Sequence, residues 1–439
     1  MTAETIRSIQ GTEDVMPWQW GHWRKLCSSA RRLFELYGYG ELRTPVIEDA
    51  RLFVKGTGET TDVVEKEMYT IPTGGMSQDA DTRWGIALRP EGTPPAVRSY
   101  LEHGLHNQLP FRKLYYVGPM FRHERPQRGR LRQFHHLGVE AIGSPSPLLD
   151  AETILLAVAL LRDVGLKHFR VWVNTIGCCD CRPAFREGLL SVLRRHAENL
   201  CEDCRGRMDR NVLRVYDCKN AACRDIVESL PTMAEHACGA CATHHGAVLA
   251  ALRSAGVECA EDPRLVRGLD YYTRTVYEIK HPALGARDTV CGGGRYDGLV
   301  ELLGGPAMPC VGFAVGAEPT ILAMQAELGE PEDTTPRPAV YVVCFDERAR
   351  STCFELAQEL RAAGLATDLD YESRSAKAQM RAANRAGAAI CALIGERELQ
   401  SNEVLVKDMA EGGQQSVARG TAVAAIRRRL GMPGAGEAC

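Results

Sequence analysis

The sequence predicts an α+β chain of two or three domains: a mixed helix and strand body, a cysteine-rich helical insertion in its middle, and a small α/β domain at its C-terminal end. Three observations carry this prediction. At 439 residues the chain exceeds what one ordinary hydrophobic core organises. Nine of the seventeen cysteines crowd between residues 178 and 241. Beyond residue 338, strand and helix patterns alternate over about a hundred residues, as α/β domains require.

Taken in order, a Trp-rich stretch from residue 17 leads into a helical pattern through Leu26, Ala30, Leu33 and Leu36, stopped by Gly38 and Gly40, with an extended turn at Pro45. Between Arg112 and Gly143 the runs LYYVGPMFRHE and QFHHLGVEAIG flank the polar loop RPQRGRLR, which reads as a long antiparallel hairpin. Residues 151–164 read as helix and RVWVNTIG as strand. Strand and glycine-loop signals return at RGLDYYTRTVYEIK and VCGGGRYDG, and CVGFAVGAEPTILAMQAEL passes from strand to helix. GEPEDTTPRP, Gly329 to Pro338, is a linker by its proline and acid content. After it come strand VYVVCF, a helix, strand LATDLDY, a helix, strands AAICALIG and EVLVKDM, and a last helix ending in IRRRLG. The expected division is a body of residues 1–172 and 259–328, an insertion over 173–258, a linker over 329–338, an α/β domain over 339–431 and a disordered tail over 432–439.

Hydrophobic residues at 45 % and charged residues at 25 % are the balance of a soluble globular protein. No apolar run reaches the roughly 18 residues of a membrane span, and MTAETIRSIQ lacks the apolar centre of an export signal, so the expected location is the cytoplasm. A net charge of -3 argues against a polycation coating nucleic acid, though not against a local basic patch. In a long chain without an export signal, seventeen cysteines read as reduced thiols or metal ligands.

Arg122, Arg125, Arg128, Arg130 and Arg132 fall within eleven residues of the hairpin, and guanidinium forks suit phosphates because they bind bidentately and stay charged. On the following strand, side chains alternate, so His136, Gly138 and Glu140 share one face with an open centre. Such a polar face beside an arginine-lined loop suits a small cation meeting a polyphosphate. ALRPEGT offers Arg89, Glu91 and Thr93 as a further acid and hydroxyl.

FRHERPQRGRLRQFHHLGVE resembles the second motif of class II aminoacyl-tRNA synthetases in its histidine-specific form, and GFAVGAEP sits where the third belongs. LVRGLDYYTRTVYE and GGGRYDGLVE resemble the two histidine motifs of histidyl-tRNA synthetases, and the likeness runs from IQGTED to the last helix. The resemblance implies an α+β catalytic domain of class II type, an antiparallel sheet flanked by helices, homodimeric through Tyr37 to Glu48, with an anticodon-binding C-terminal domain. It implies L-histidine, ATP with Mg²⁺, and tRNA(His) as ligands. Histidine's carboxylate attacks the α-phosphorus of ATP, and the terminal ribose of the tRNA then takes the histidyl group.

By the same resemblance the catalytic residues are Arg122, gripping the α-phosphate and the substrate carboxylate, and Arg267, facing that phosphate from the other side. Arg130 lies near the outer phosphates. Glu91, Thr93 and Glu140 hold the α-amino group and polar side of histidine, Gly92 and His136 belong to the same pocket, and Tyr271 and Tyr272 close over the imidazole. Two positions depart from the family pattern: His136 replaces a glutamine, and Pro319 replaces the arginine that clamps the terminal phosphate of ATP. The alternative reading is a weakened, synthetase-like regulatory or histidine-sensing protein. Against it stand the complete C-terminal domain and both histidine motifs.

Four cysteine pairs mark the insertion: Cys178 and Cys181, Cys201 and Cys204, Cys218 and Cys223, Cys238 and Cys241. Two-residue spacing in three of them lets both thiolates of a turn face one tetrahedral ion, so eight thiolates suffice for two structural Zn²⁺ sites. By resemblance the insertion touches the acceptor arm of the tRNA, which sets the expected zinc far from the chemistry.

Overall fold

The computed structural model describes residues 5–71, 85–109, 111–126, 129–218, 220–285 and 288–432. Arg128 of the hairpin loop and residues 433–439, nearly all of the expected tail, lie outside them. Two compact units, Met1–Asp333 and Thr334–Cys439, make up the chain.

The first unit is built on eight strands: β1 (Gly40–Glu41), β2 (Arg112–Phe121), β3 (Gln133–Ile142), β4 (Arg170–Thr175), β5 (Cys259–Glu261), β6 (Thr273–Lys280), β7 (Thr289–Arg295) and β8 (Cys310–Gly316). Their order is β1-β2-β3-β8-β7-β6-β4-β5. The interior pairings are antiparallel, and only the two outermost, β1 with β2 and β4 with β5, are parallel. The expected hairpin is β2 and β3, in register from Arg112 opposite Ile142 to Phe121 opposite Gln133.

Alternation along β3 sorts its side chains between two environments. Leu137, Val139 and Ala141 are buried in a core shared with α1 (Trp20–Leu36), α4 (Pro147–Asp163) and α8 (Ala317–Leu328). The opposite face carries His136, Gly138 and Glu140. In α1, Leu26, Ala30 and Leu33 face the core with Phe34, but Leu36 is 72 % exposed because the chain leaves the helix at Tyr37 and turns through Gly38, whose φ of +82° suits glycine. α4 starts ahead of the expected residue 151, with Ser146 capping the Leu148 N–H and Pro147 in the first position.

Helix α2 (Ala50–Thr57) rests on α3 (Thr93–Glu102), Gly56 meeting Pro94. A small antiparallel sheet of residues 47–49, 70–71 and 86–88 leads into both helices. The glycines of VCGGGRYDG are not a loop: Gly292, Gly293 and Gly294 lie within β7. The insertion carries α5 (Arg182–Arg195), α6 (Glu202–Arg210) and α7 (Gly239–Ser254). Val248 and Leu252 of α7 join the main core, so the last insertion helix packs on the body of the unit.

The second unit holds β9 (Val340–Cys344), β10 (Thr367–Leu369), β11 (Ile390–Ile394), β12 (Glu403–Asp408) and β13 (Gln414–Ala418), ordered β10-β9-β11-β12-β13. The first three are parallel and the last two antiparallel. Helices α9 (Arg350–Ala362), α10 (Ala376–Ala386) and α11 (Ala422–Arg429) match the expected ones. β13 was not foreseen. Its residues QQSVA form an exposed edge strand with no apolar alternation to betray it.

Candidate active site

Two buried carboxylates stand at the centre of the polar sheet face. Glu140 on β3 accepts hydrogen bonds from Thr93 Oγ1 at 2.7 Å and Tyr116 Oη at 3.2 Å on one oxygen, and from Tyr296 Oη on the other. Glu91 accepts from Thr57 Oγ1 at 2.5 Å and Tyr271 Oη at 2.7 Å. Burial pushes the Glu140 carboxyl up to about 8, against the pull of its three hydroxyl donors, and the nearby Glu91 charge raises it further. Burial raises Glu91 as well, partly offset by Thr57, Tyr271, Arg122 and Arg267. Two acids held close in a dry pocket gain most from a cationic guest that neutralises them.

Glycines make the space for this arrangement. A Cβ on Gly92 or Gly138 would fall 2.2 or 2.3 Å from Tyr116 Cζ, so the ring of Tyr116 is pinched between the two backbones. The centre over Gly138 is therefore not open, as the strand pattern suggested, but filled by Tyr116 from the paired strand. On β8, a Cβ at Gly312 would meet Glu140 Oε2 at 2.3 Å. Tyr271 and Tyr272 lie with ring centroids 4.7 Å apart, and Tyr296 stands edge-on to Tyr271 at 5.7 Å.

Cations line the next layer. Arg122 donates from Nε to the Pro90 carbonyl at 2.9 Å, and its guanidinium lies 5.4 Å from the Phe134 ring centre. Arg267 is fixed by Glu278 through Nη1 and lies 5.9 Å from the Tyr272 ring centre. A Cβ on Gly292 would sit 2.2 Å from Arg267 Nη2, so β7 is bare where the guanidinium crosses it. Arg130 pairs with the buried Glu124. Arg89, in contrast, holds the Pro119 carbonyl and Thr44, bracing the end of β2.

His136 is half-buried, and its loss of solvent together with Arg122, Arg89 and Arg267 depresses its pKa to about 3, so it is neutral near pH 7. Among the described residues its Nδ1 and the Arg267 Nε are buried without a partner. His136 pairs in register with Gly316, and Pro319 packs against Gly316. The two departures from the family pattern thus fall together. Pro319 is the third residue of α8, and its missing N–H is one of those a helix leaves unpaired.

The structure brings Glu91, Gly92, Thr93, Arg122, His136, Glu140, Arg267, Tyr271 and Tyr272 to one face of the sheet. Sequence reasoning missed Tyr116, Tyr296, Thr57, Glu278 and Phe134. Tyr116 was within reach, since the hairpin register alone places it opposite Gly138. Tyr296 and Glu278 lie inside motifs already singled out; Thr57 reaches Glu91 only through the packing of α2.

The family profile described as Histidyl-tRNA synthetase matches residues 11–319, and Anticodon binding domain matches 339–429. The chain belongs to the histidyl-tRNA synthetase family. A histidine--tRNA ligase of Halothermothrix orenii is 44 % identical over 94 % of this chain and 96 % of its own length, and one of Moorella thermoacetica 46 % identical over 93 % and 95 %. The crystal structure of apo histidyl-tRNA synthetase from S. aureus superposes with a TM-score of 0.78 at 32 % identity, covering 96 % of this chain and all of that one. A Bacillus halodurans protein described as an ATP phosphoribosyltransferase regulatory subunit/histidyl-tRNA synthetase, at 21 % identity and a TM-score of 0.60, shares the family's fold. The curated relatives match across the C-terminal domain as well, which favours the ligase over the regulatory alternative.

The eight predicted metal ligands gather into two quartets, Cys178, Cys181, Cys238 and Cys241, and Cys201, Cys204, Cys218 and Cys223, each with its sulfurs within 4.8 Å of one another. The outer two pairs meet, and the inner two meet.

Proposed function

We propose that this chain ligates L-histidine to tRNA(His) through a histidyl-adenylate. The observation that carries the reading is the buried Glu91 and Glu140 pair beneath Arg122 and Arg267, in a chain with full-length ligase relatives. Glu140 and Thr93 receive the α-ammonium group, Glu91 and Tyr271 the imidazole side, and Tyr272 closes the pocket. A site built to hydrogen-bond a ring nitrogen rejects side chains that lack one. The histidine carboxylate then lies towards Arg122, which aligns it for attack on the α-phosphorus, while Arg267 stabilises the charge gathering on the phosphate oxygens.

Arg130, with neighbouring arginines, meets the outer phosphates. Among the described residues the only groups of three or more ligands suited to an ion are the cysteine quartets. Mg²⁺ therefore suits this site as an ion held mainly by ATP, which is its usual mode, and it supplies charge neutralisation there. The tRNA binds through the C-terminal unit. A homodimer through Tyr37 to Glu48 is supported by β1 at the sheet edge and by the exposed Leu36, Val46 and Ile47 beside it. No helix among the described residues is long and apolar enough to cross a membrane, which suits a cytoplasmic enzyme. ATP–pyrophosphate exchange with each amino acid in turn tests the reading: histidine alone should support exchange, and exchange driven by another amino acid or by none overturns it.

Two further results are expected. A chain ending at Asp333 should form adenylate at close to the parental rate but lose most of its aminoacylation, since every residue assigned to the pocket lies in the first unit and the second matches an anticodon-binding domain; unchanged charging would refute the division of labour. Pro319→Arg should raise kcat/KM for ATP about tenfold to about a hundredfold, the worth of a charge-assisted hydrogen bond. Its position in the first turn keeps the folding penalty small. A parent already fast, with no gain on substitution, would mean that Arg130 or a neighbour has replaced the clamp.

A further inference from the structure

Residues beside and between the cysteines of the two quartets contact the segment that lines the histidine pocket. A single Zn²⁺ with Zn–S bonds of about 2.3 Å holds its four sulfurs about 3.8 Å apart. In the first quartet the separations are 3.5 Å for Cys178 and Cys181, 4.0 Å for Cys178 and Cys238, and 3.7 Å for Cys181 and Cys241; in the second, Cys201 and Cys218 are 3.8 Å apart. These distances are far beyond a disulfide's roughly 2.05 Å. Backbone N–H groups point at the sulfurs: Cys238 donates to Cys181 at 3.2 Å, Cys201 to Cys223 at 3.2 Å and Asn220 to Cys218 at 3.4 Å. Such donors favour thiolates, and four converging thiolates without a cation would repel one another.

Both quartets brace the segment that carries Arg267, Tyr271 and Tyr272. Next to Cys181, Arg182 donates to the Tyr272 carbonyl, and the Ile176–Gly177 backbone pairs on both sides of Arg274. Arg274 has a φ of +49°, a left-handed conformation that a residue other than glycine adopts only when its surroundings hold it there. Between Cys204 and Cys218, Asn211 donates to Asp270, and Arg214 reaches the Gly268 carbonyl at 2.9 Å and Asp62 at 3.2 Å. The insertion is therefore not remote from the chemistry, as the resemblance led one to expect.

We propose that the quartets are two structural zinc sites and that they hold residues 267–274 in the histidine-binding arrangement, so that zinc loss weakens histidine binding directly. This rests on the histidine reading above. The test begins with metal analysis of the purified full-length chain, which should carry two zinc ions, and then measures L-histidine binding by calorimetry. Cys218→Ser with Cys223→Ser should leave one zinc and weaken histidine binding roughly tenfold, within the usual range of coupling between sites. Asn211→Ala should keep both zinc ions and weaken histidine binding in the same direction; it also keeps the test decisive if the double variant does not fold. No zinc in the parent overturns the metal sites. Two zinc ions with parental histidine affinity in Asn211→Ala overturn the coupling. A zinc-loaded parent that binds no histidine overturns the histidine reading, and the coupling with it, while leaving the metal assignment standing.

Discussion

Arg267→Ala is expected to lower histidyl-adenylate formation by roughly 10²- to 10³-fold, the usual effect of removing one preorganised donor from a charged transition state. The reason lies in how the side chain is held. Glu278 and the Tyr272 ring aim the guanidinium, Gly292 leaves it room, and the Glu278 carboxylate, against the pull of burial, keeps it firmly protonated. A contact that strengthens only as charge develops should appear in kcat more than in KM. Removing Arg267 does not strand its partner, because Thr289 Oγ1 still donates to Glu278 at 3.2 Å and Lys280 stays 3.5 Å away. Pre-steady-state adenylate formation and circular dichroism together check this. Near-parental kinetics in a folded variant would show that another group carries the charge.

Glu140→Gln should act on histidine binding instead. Loss of a charge-assisted contact to the α-ammonium group is worth roughly 1.5–3 kcal/mol, about tenfold to about a hundredfold in KM for histidine. The carboxyl also predicts a pH dependence. Its pKa in the free folded protein, about 8, is above the ordinary 4.5, so between these values the native state holds a proton that the unfolded chain has lost. Stability from this group is therefore fully present below about 4.5, falls as pH rises towards 8, and is level above it. The glutamine variant should lose that slope. Binding of the cationic amine should also expel the proton, so calorimetry near pH 7.5 in buffers of different ionisation heat should show proton release for the parent and less for Glu140→Gln. Equal release from both proteins would remove Glu140 from the amine site.

Much of this protein is determined by sequence alone. The β2–β3 hairpin, α1, the sharing of one face by His136, Gly138 and Glu140, and β9 to β12 with the helices α9, α10 and α11 all follow from local periodicity, because side-chain alternation and helical spacing are properties of the backbone. Spacing likewise marked the four cysteine pairs. Tertiary structure decided what those patterns meet. Tyr116 fills the space above Gly138, Thr57 arrives on α2 to hold Glu91, and the triple glycine is a strand that Arg267 crosses. Which cysteine pairs share a quartet, and that residues beside both quartets reach the segment behind the histidine pocket, could not be read from spacing, since those contacts join residues 17 to 90 positions apart. Periodicity specifies which face a side chain occupies; only the packed chain specifies its neighbour there.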